Sequence, residues 1–199
     1  MPYSDQKKGM LLAFTAIMFI TPDSLFIRLA NLTSWNLIFY RGFIPFIIVF
    51  IGLLIIYKTK FFTQLVENGW HGIAYAAVFT ITNIFFVISI ENTNVANTLI
   101  MIALAPMLSA VISFIFLKEN TDKKTWVAII ITTLSVIYIF NDSFERGDVL
   151  GNFLGLVCAT GLAVGAVIIR SAKKISLVPS AMMGKLMVTL IALLFADNL

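Results

Sequence analysis

Long apolar runs, interrupted by short polar links, dominate the chain. The stretches from Phe43 to Tyr57 and from Val95 to Leu117 contain no charged residue. A run of ~20 residues, at a helical rise of ~1.5 Å per residue, matches the ~30 Å hydrocarbon core of a bilayer. The pattern predicts about seven transmembrane helices, at 9–31, 34–57, 71–90, 95–117, 125–140, 151–170 and 178–198. The predicted fold class is therefore an all-α, polytopic membrane protein.

Composition strengthens this prediction. Hydrophobic residues make up 60% of the 199 residues, charged residues only 12%, and the mean hydropathy is +0.98. A soluble domain of this size has too little interior for so much apolar surface. The net charge of +4 is spread over several links, so the lipid bilayer is the expected partner and nucleic acid is not. The lone Cys158 gives no basis for a disulfide framework or a metal site, and no cofactor is predicted.

The basic residues of the links predict the orientation. Positively charged loops stay on the cytoplasmic side of a membrane, and only Arg146 lies in a link on the opposite side. The N-terminus is therefore predicted to be cytoplasmic, in the cell inner membrane, and seven crossings place the C-terminus outside. Ten basic residues fall on the cytoplasmic side: Lys7, Lys8, Lys58, Lys60, Lys118, Lys123, Lys124, Arg170, Lys173 and Lys174.

An internal repeat is visible when the chain is shifted by 142 residues. Five helices separate equivalent points, so the second copy runs in the opposite direction, as in the inverted repeats of many secondary transporters. Residues 1–142 are predicted to form the first five-helix repeat and 143–199 the start of the second. A complete second copy would end at roughly residue 285 to 300, so we expect the chain to be truncated. The shift pairs Gly9 with Gly151, Leu12 with Leu154, Ile27-Arg28 with Ile169-Arg170, Ala30 with Ala172, Ser34 with Ser176, and Gly42 with Gly184.

Three segments carry a resemblance to a known family. They read "PDSLFIRLA" followed by "FYRG", then "NTNVANTLIMIALAPMLSAVISFIFLKEN", and finally "GDVLGNFLGLVCATGLAVGAVIIR". In order and spacing the chain resembles the EamA-like branch of the drug/metabolite transporter superfamily, whose members have ten helices in two five-helix repeats. The resemblance implies export or exchange of small metabolites by alternating access. A second copy of the chain is left open as a partner.

Two opposite charges fall at one depth in the first predicted hairpin. Asp23 lies nine residues before the turn centred on Leu32, and Arg41 lies nine residues after it, which places both ~13 Å below the outer turn. Such charges are costly inside a membrane unless they pair or face water. Asp23 and Arg41 are therefore predicted either to line the substrate cavity or to form a structural bridge. One acid and one base would suit a zwitterion resembling an amino acid.

Other polar residues complete the candidate site. Asn83 and Asn97 are predicted to line the cavity, with hydrogen bonding between helices as the alternative. Arg28, nearer the surface, is predicted either to gate the outer mouth or to extend to lipid headgroups. Pro106 is expected to kink the fourth helix. Lys185, seven residues into the last helix, is expected to extend to the cytoplasmic interface.

Rival functions are less consistent with the sequence. A retinal protein of the microbial kind would have an Asp four residues before its lysine, but Ala181 occupies that position relative to Lys185. A membrane enzyme would need a reactive cluster, and the only histidine, His71, has no acidic neighbour at triad-like spacing. A non-transporting membrane scaffold remains the main alternative to a transporter. The prediction is therefore a non-enzymatic transporter.

Overall fold

A computed structural model describes residues 9–12, 14–15, 18, 23–30, 32–58, 60–118, 122–146, 148–172 and 175–196. It consists of two compact units, Met1–Leu32 and Thr33–Leu199. In the first unit the described residues are almost entirely helical, and the helix α1, Asp23–Leu29, begins with the candidate residue Asp23. Residues 13, 16–17, 19–22 and 31 of the first predicted span lie outside the described residues.

Eight further helices occur in the described part of the second unit. Their bounds are α2 Ser34–Tyr57, α3 Lys60–Glu67, α4 Gly69–Asn92, α5 Val95–Ile102, α6 Ala105–Phe116, α7 Lys123–Arg146, α8 Val149–Ser171 and α9 Val178–Phe195.

Five described stretches are long and apolar enough to cross a membrane. They are α2, α4, α5 together with α6, α8, and α9. Throughout the described residues the regular structure is helical, so the predicted all-α, polytopic membrane fold is confirmed. The second predicted span, 34–57, coincides with α2, and the fifth, 125–140, lies within α7.

The fourth predicted span is broken into two helices. α5 ends at Ile102, and α6 begins at Ala105 with Pro106 in its first turn. Proline has no amide hydrogen, and its ring collides with the carbonyl four residues earlier, which here belongs to Ile102. Pro106 therefore accounts for an interruption of the helix over residues 103–104, at the place where the kink was predicted.

The short helix α3 was predicted as part of a link. Its buried Phe61 packs against Leu53 of α2 and Met182 of α9, while Phe62 and Val66 are exposed. An amphipathic helix with this distribution suits the membrane–water interface. The apolar contact of Phe61 stabilises this short segment, which begins at Lys60, as a helix.

Contacts between helix ends show that α2 runs opposite to both α4 and α9, which run in the same direction as each other. At one end, the Ser34 hydroxyl donates to the Glu91 carboxylate, and Trp35 stacks on Phe195 with ring centroids 4.6 Å apart. These contacts place the start of α2 beside the ends of α4 and α9. At the other end, the Asn68 amide donates to the Ser180 hydroxyl at 2.9 Å, which joins the starts of α4 and α9.

Small residues allow α8 to approach its neighbours closely. A Cβ atom on Gly151 would lie 2.5 Å from the Asn92 backbone, and one on Gly161 would meet the Thr82 hydroxyl at 2.2 Å. The Ser89 hydroxyl donates to the Gly151 carbonyl at 2.7 Å. Such close contact with buried hydrogen bonds is typical of membrane helix interfaces. Gly151 and Gly161 therefore serve the close packing of α8 against its neighbours.

Candidate functional site

One face of α4 carries the central polar residue of the site. Phe79, Asn83 and Phe86 are spaced by four and three residues, so they follow one another along a single helical face. The Asn83 side-chain amide donates to the Phe79 carbonyl at 2.7 Å. This bond uses one of the two N–H donors of the amide, and the amide oxygen can accept a hydrogen bond.

Lys185 of α9 supplies the donor. Its ammonium group donates to the Asn83 amide oxygen at 2.5 Å and to the Arg41 backbone carbonyl at 3.4 Å. It also lies 5.3 Å from the centre of the Phe79 ring. The side chain therefore points into the space between α2, α4 and α9, and the expectation that it extends to the cytoplasmic interface is wrong.

Arg41 of α2 contributes the second cation. Its guanidinium group lies 5.0 Å from the centre of the Phe86 ring, one helical turn beyond Asn83. A cation over an aromatic face is stabilised by ~0.5–2 kcal/mol, more when it is removed from water. Each of the two cations therefore lies over one of the two aromatic rings that flank Asn83 on α4.

Close backbone contacts hold the three helices in this arrangement. A Cβ atom on Gly42 would lie 2.6 Å from the Thr189 hydroxyl and 3.1 Å from the Lys185 carbonyl. The buried Thr80 hydroxyl is 3.1 Å from the Gly184 carbonyl. α9 is therefore fixed against α2 and against α4, directly beside Lys185, so the position of the ammonium group is set by packing.

The three polar residues share one depth. Counted from the helix ends at the Trp35–Phe195 side, Arg41 lies seven residues from Ser34, Asn83 nine from Asn92, and Lys185 ten from Phe195. These counts correspond to ~11–15 Å. Sequence reasoning assigned Lys185 to the cytoplasmic interface because it counted the depth of this residue from the start of the last helix. Counting from the helix end at Phe195 places Lys185 level with Asn83.

Asn97 lies in a different polar group. Its amide approaches the Thr93 hydroxyl at 3.4 Å, and Thr93 donates to the Asn152 side-chain oxygen at 2.9 Å. Ser89 and Thr98 are hydrogen bonded nearby at 2.9 Å. These contacts join α4, α5 and α8 close to the end of α4 at Asn92, beyond Asn83 along the helix.

Two candidate residues belong to the Met1–Leu32 unit. Asp23 stands in the first turn of α1 and is half-buried. Arg28 lies on the same helix, and its side chain is outside the described residues. The predicted pairing of Asp23 with Arg41 and the gate at Arg28 therefore stay predictions.

Two apolar cavities lie along α4. One, of about 250 Å³, is bordered by Gly72, Ala76, Ser180, Met183 and other small or apolar residues. The other, of about 370 Å³, lies between Val78 and Ile81 of α4 and Phe153, Leu156 and Thr160 of α8. Asn83 and Lys185 line neither of them, so the polar cluster is distinct from both.

The chemistry of the cluster favours binding. Arg41, Lys185 and Asn83 provide two cationic donors and an amide, which can hold a polar solute through hydrogen bonds and charge. Within the described part of the chain, no group of three or more His, Cys, Asp or Glu residues could hold a metal ion.

Comparison with known proteins identifies the family. No curated relative and no solved structure matches the chain. The sequence model of the EamA-like transporter family matches residues 7–141, which is more than half of the chain. The chain therefore belongs to the EamA-like transporter family, and it is a membrane transporter of the drug/metabolite type.

Proposed function

We propose that the protein is a secondary transporter of small metabolites that works as an exporter or exchanger by alternating access. The observation that carries this proposal is the cluster of Arg41, Asn83 and Lys185 at one depth between three apolar helices. Ionisable residues inside a membrane are costly, and they mark substrate or ion pathways. In inverted-repeat transporters the substrate site lies near the midplane, where the two repeats meet.

The proposed repeats divide the cluster in the manner such a transporter requires. α2 and α4, which carry Arg41 and Asn83, belong to the first repeat, 1–142, whereas α9, which carries Lys185, belongs to the second, 143–199. The family match ends at residue 141, next to the proposed boundary. Movement of one repeat against the other would change the contacts of Lys185 with both of its partners.

The remaining candidate residues receive roles in this scheme. We propose that Asp23 and Arg41 face the substrate, that Asn83 borders the same cavity, and that Asn97 lies on the path toward the outer surface. Arg28 would gate the outer mouth. An acid and a base at one depth suit a substrate resembling an amino acid. The protein would lie in the inner membrane with its N-terminus in the cytoplasm, where the basic links are retained.

An efflux assay tests the proposal. Cells expressing the chain and cells with an empty vector are preloaded with a mixture of ¹⁴C-labelled amino acids, and the retained label is followed over time. We expect faster loss of label from cells that express the chain. Asp23→Asn should slow this loss by about tenfold or more, because removing one partner of an intramembrane charge pair costs a few kcal/mol.

The matched control is Asp122→Asn, because Asp122 is exposed in the link before α7. This variant should retain transport and expression. If cells that express the chain and cells with the empty vector retain every label equally, the result would favour a non-transporting scaffold. If Asp23→Asn lowers expression and transport in proportion, the charge has a structural role only. A charge exchange, Asp23→Arg with Arg41→Asp, should restore expression in a structural pair and abolish transport in a substrate site.

A further inference from the structure

We propose that the cavity between α4 and α9 binds one phospholipid whose headgroup carries an ammonium group, as in phosphatidylethanolamine. An acyl chain of the lipid would lie in the cavity, and its ammonium group would donate hydrogen bonds to the side-chain oxygens of Gln64 and Asn68. The site lies where α4 and α9 begin. It depends neither on the polar cluster around Lys185 nor on transport.

Two buried acceptor atoms carry the first step. The side-chain oxygens of Gln64 and Asn68 are shielded from solvent, and neither accepts a hydrogen bond from any described residue. The Asn68 backbone N–H donates to the Gln64 carbonyl at 3.0 Å, so the two residues lie one helical turn apart. A buried acceptor without a donor is unfavourable. Two such oxygens on one turn indicate a partner from outside the chain that brings several donors, as an ammonium group does.

The position of Asn68 connects these acceptors with the cavity. Its side-chain NH₂ group donates to the Ser180 hydroxyl at 2.9 Å and to the Ser176 carbonyl at 3.0 Å, so the remaining atom of the amide is the oxygen. A Cβ atom on Gly72 would lie 2.7 Å from the Asn68 Cβ. Gly72 and Ser180 both border the cavity, and so does Leu65, the neighbour of Gln64. Asn68 therefore lies at the end of the cavity nearest the starts of α4 and α9.

The size and lining of the cavity suit a hydrocarbon chain. Its volume is about 250 Å³, whereas an apolar cavity of ~150 Å³ is enough to bind benzene. Its border on α4 extends from Gly69 to Ala77, which corresponds to ~12 Å along the helix. Met183 and Met187 of α9 provide flexible apolar surface. The cavity thus runs from the helix ends toward the middle of the membrane, as a lipid chain does.

The surface around the acceptors suits a zwitterionic headgroup. Phe62, Val66 and Trp70 are 52%, 80% and 76% exposed, and such residues are typical of the headgroup region of a membrane. α3 begins with Lys60 and ends with Glu67, which are both exposed. The lysine would attract the phosphate of the lipid and the glutamate its ammonium group. The charges along α3 therefore match those of the headgroup.

Native mass spectrometry of the purified full chain tests the proposal. The chain is released from micelles that contain phosphatidylethanolamine or phosphatidylcholine with identical acyl chains. The choline group has no N–H donor. We expect one phosphatidylethanolamine to bind about tenfold more tightly than phosphatidylcholine, because a hydrogen bond to a charged group contributes roughly this factor. Glycerophosphoethanolamine, which has the headgroup without acyl chains, should not bind.

Two variants with matched controls test the two parts of the site. Gln64→Leu removes one acceptor and should abolish most of the preference for phosphatidylethanolamine, whereas Thr63→Leu, at the exposed neighbouring position, should retain it. Ala77→Leu fills part of the cavity and should weaken the binding of phosphatidylethanolamine about tenfold. Its control is Ala128→Leu, at an exposed position of α7, which should bind like the unaltered chain. The lipid-free Tm of each variant reports whether it is folded, and the Gln64→Leu comparison stands whether or not Ala77→Leu folds.

Several results would overturn the proposal. They are equal binding of the two lipids by the unaltered chain, a full preference in Gln64→Leu, unchanged lipid binding by folded Ala77→Leu, or binding of glycerophosphoethanolamine as tight as that of the lipid. A lipid-free dimer that Ala77→Leu dissociates would identify a second copy of the chain as the occupant, and it would also contradict the lipid site. None of these results bears on efflux, so the proposed function is tested separately.

Discussion

Lys185 illustrates how a single side chain changes the picture of the site. Two of the four residues predicted to line the cavity, Arg41 and Asn83, are each hydrogen bonded to it. A sequence gives the depth of a residue along a helix, but not the side of the helix that faces a neighbour. The depth of Asn83 was therefore predictable, whereas its bond to Lys185 depends on how closely α9 packs on α4.

Energetic coupling between Asn83 and Lys185 is the prediction at this scale. Asn83→Leu should lower the Tm, because it removes an acceptor from a charged donor, and such hydrogen bonds contribute about 1.5–3 kcal/mol. In a Lys185→Met background the same change should cost much less. Thermal unfolding of the two single variants and the double variant measures the coupling, expected at ~0.5–3 kcal/mol. Strictly additive Tm changes would show that the pair makes no energetic contribution.

Among the helices, those with a single long apolar run were the easiest to predict. α2 was predicted at its true bounds, and α4 and α8 to within two residues at each end. The short α3 was missed because its helical state depends on the burial of Phe61 against other helices. Local pattern alone gives little support to a helix of eight residues.

The close contact of α8 gives a prediction about glycine. Gly151→Ala should destabilise the protein, because its Cβ would collide with the Asn92 backbone at 2.5 Å, and overpacking costs about 1–3 kcal/mol. Gly165→Ala is the matched control on the same helix, where the nearest atom, on the Tyr75 ring, is 3.5 Å away. That variant should be neutral or stabilising, since alanine favours a helix by ~1 kcal/mol over glycine.

Thermal unfolding of both variants in nanodiscs provides the measurement. The Gly151→Ala protein should unfold several degrees below the Gly165→Ala protein, at about 2–4 °C per kcal/mol. Equal Tm values would mean that the backbone of α4 can move away from α8 at little cost. The close approach would then not be a determinant of the fold.

At the scale of the molecule, α8 links the two proposed repeats. It would begin the proposed second repeat, yet it packs on α4, α5 and α6 of the proposed first repeat. Ser89, Thr93 and Thr98 form buried hydrogen bonds around its start. The sequence shift of 142 residues predicted a second repeat, but it did not predict that α8 would pack against helices of the proposed first repeat. That arrangement depends on contacts between small residues of different helices. Aligning the sequence with itself does not reveal such contacts.

Orientation is the prediction that belongs to the whole chain. The structure groups the start of α2 with the ends of α4 and α9 at one end of the Thr33–Leu199 unit, and the positive-inside rule predicts that this end faces outward. In a Cys158→Ala background, single cysteines at Asn92 and Ala196 should react with a membrane-impermeant maleimide in intact cells. Cysteines at Lys60 and Asp122 should react only after the membrane is permeabilised. Asn92 and Asp122 are both exposed, so a difference between them reports the side of the membrane rather than burial.

Opposite labelling of Asn92 and Ala196 would contradict the antiparallel arrangement of α4 and α9 relative to α2. Full reversal of the pattern would keep that arrangement but invert the protein, and Arg28 would then lie near the cytoplasmic surface, where it could not gate an outer mouth.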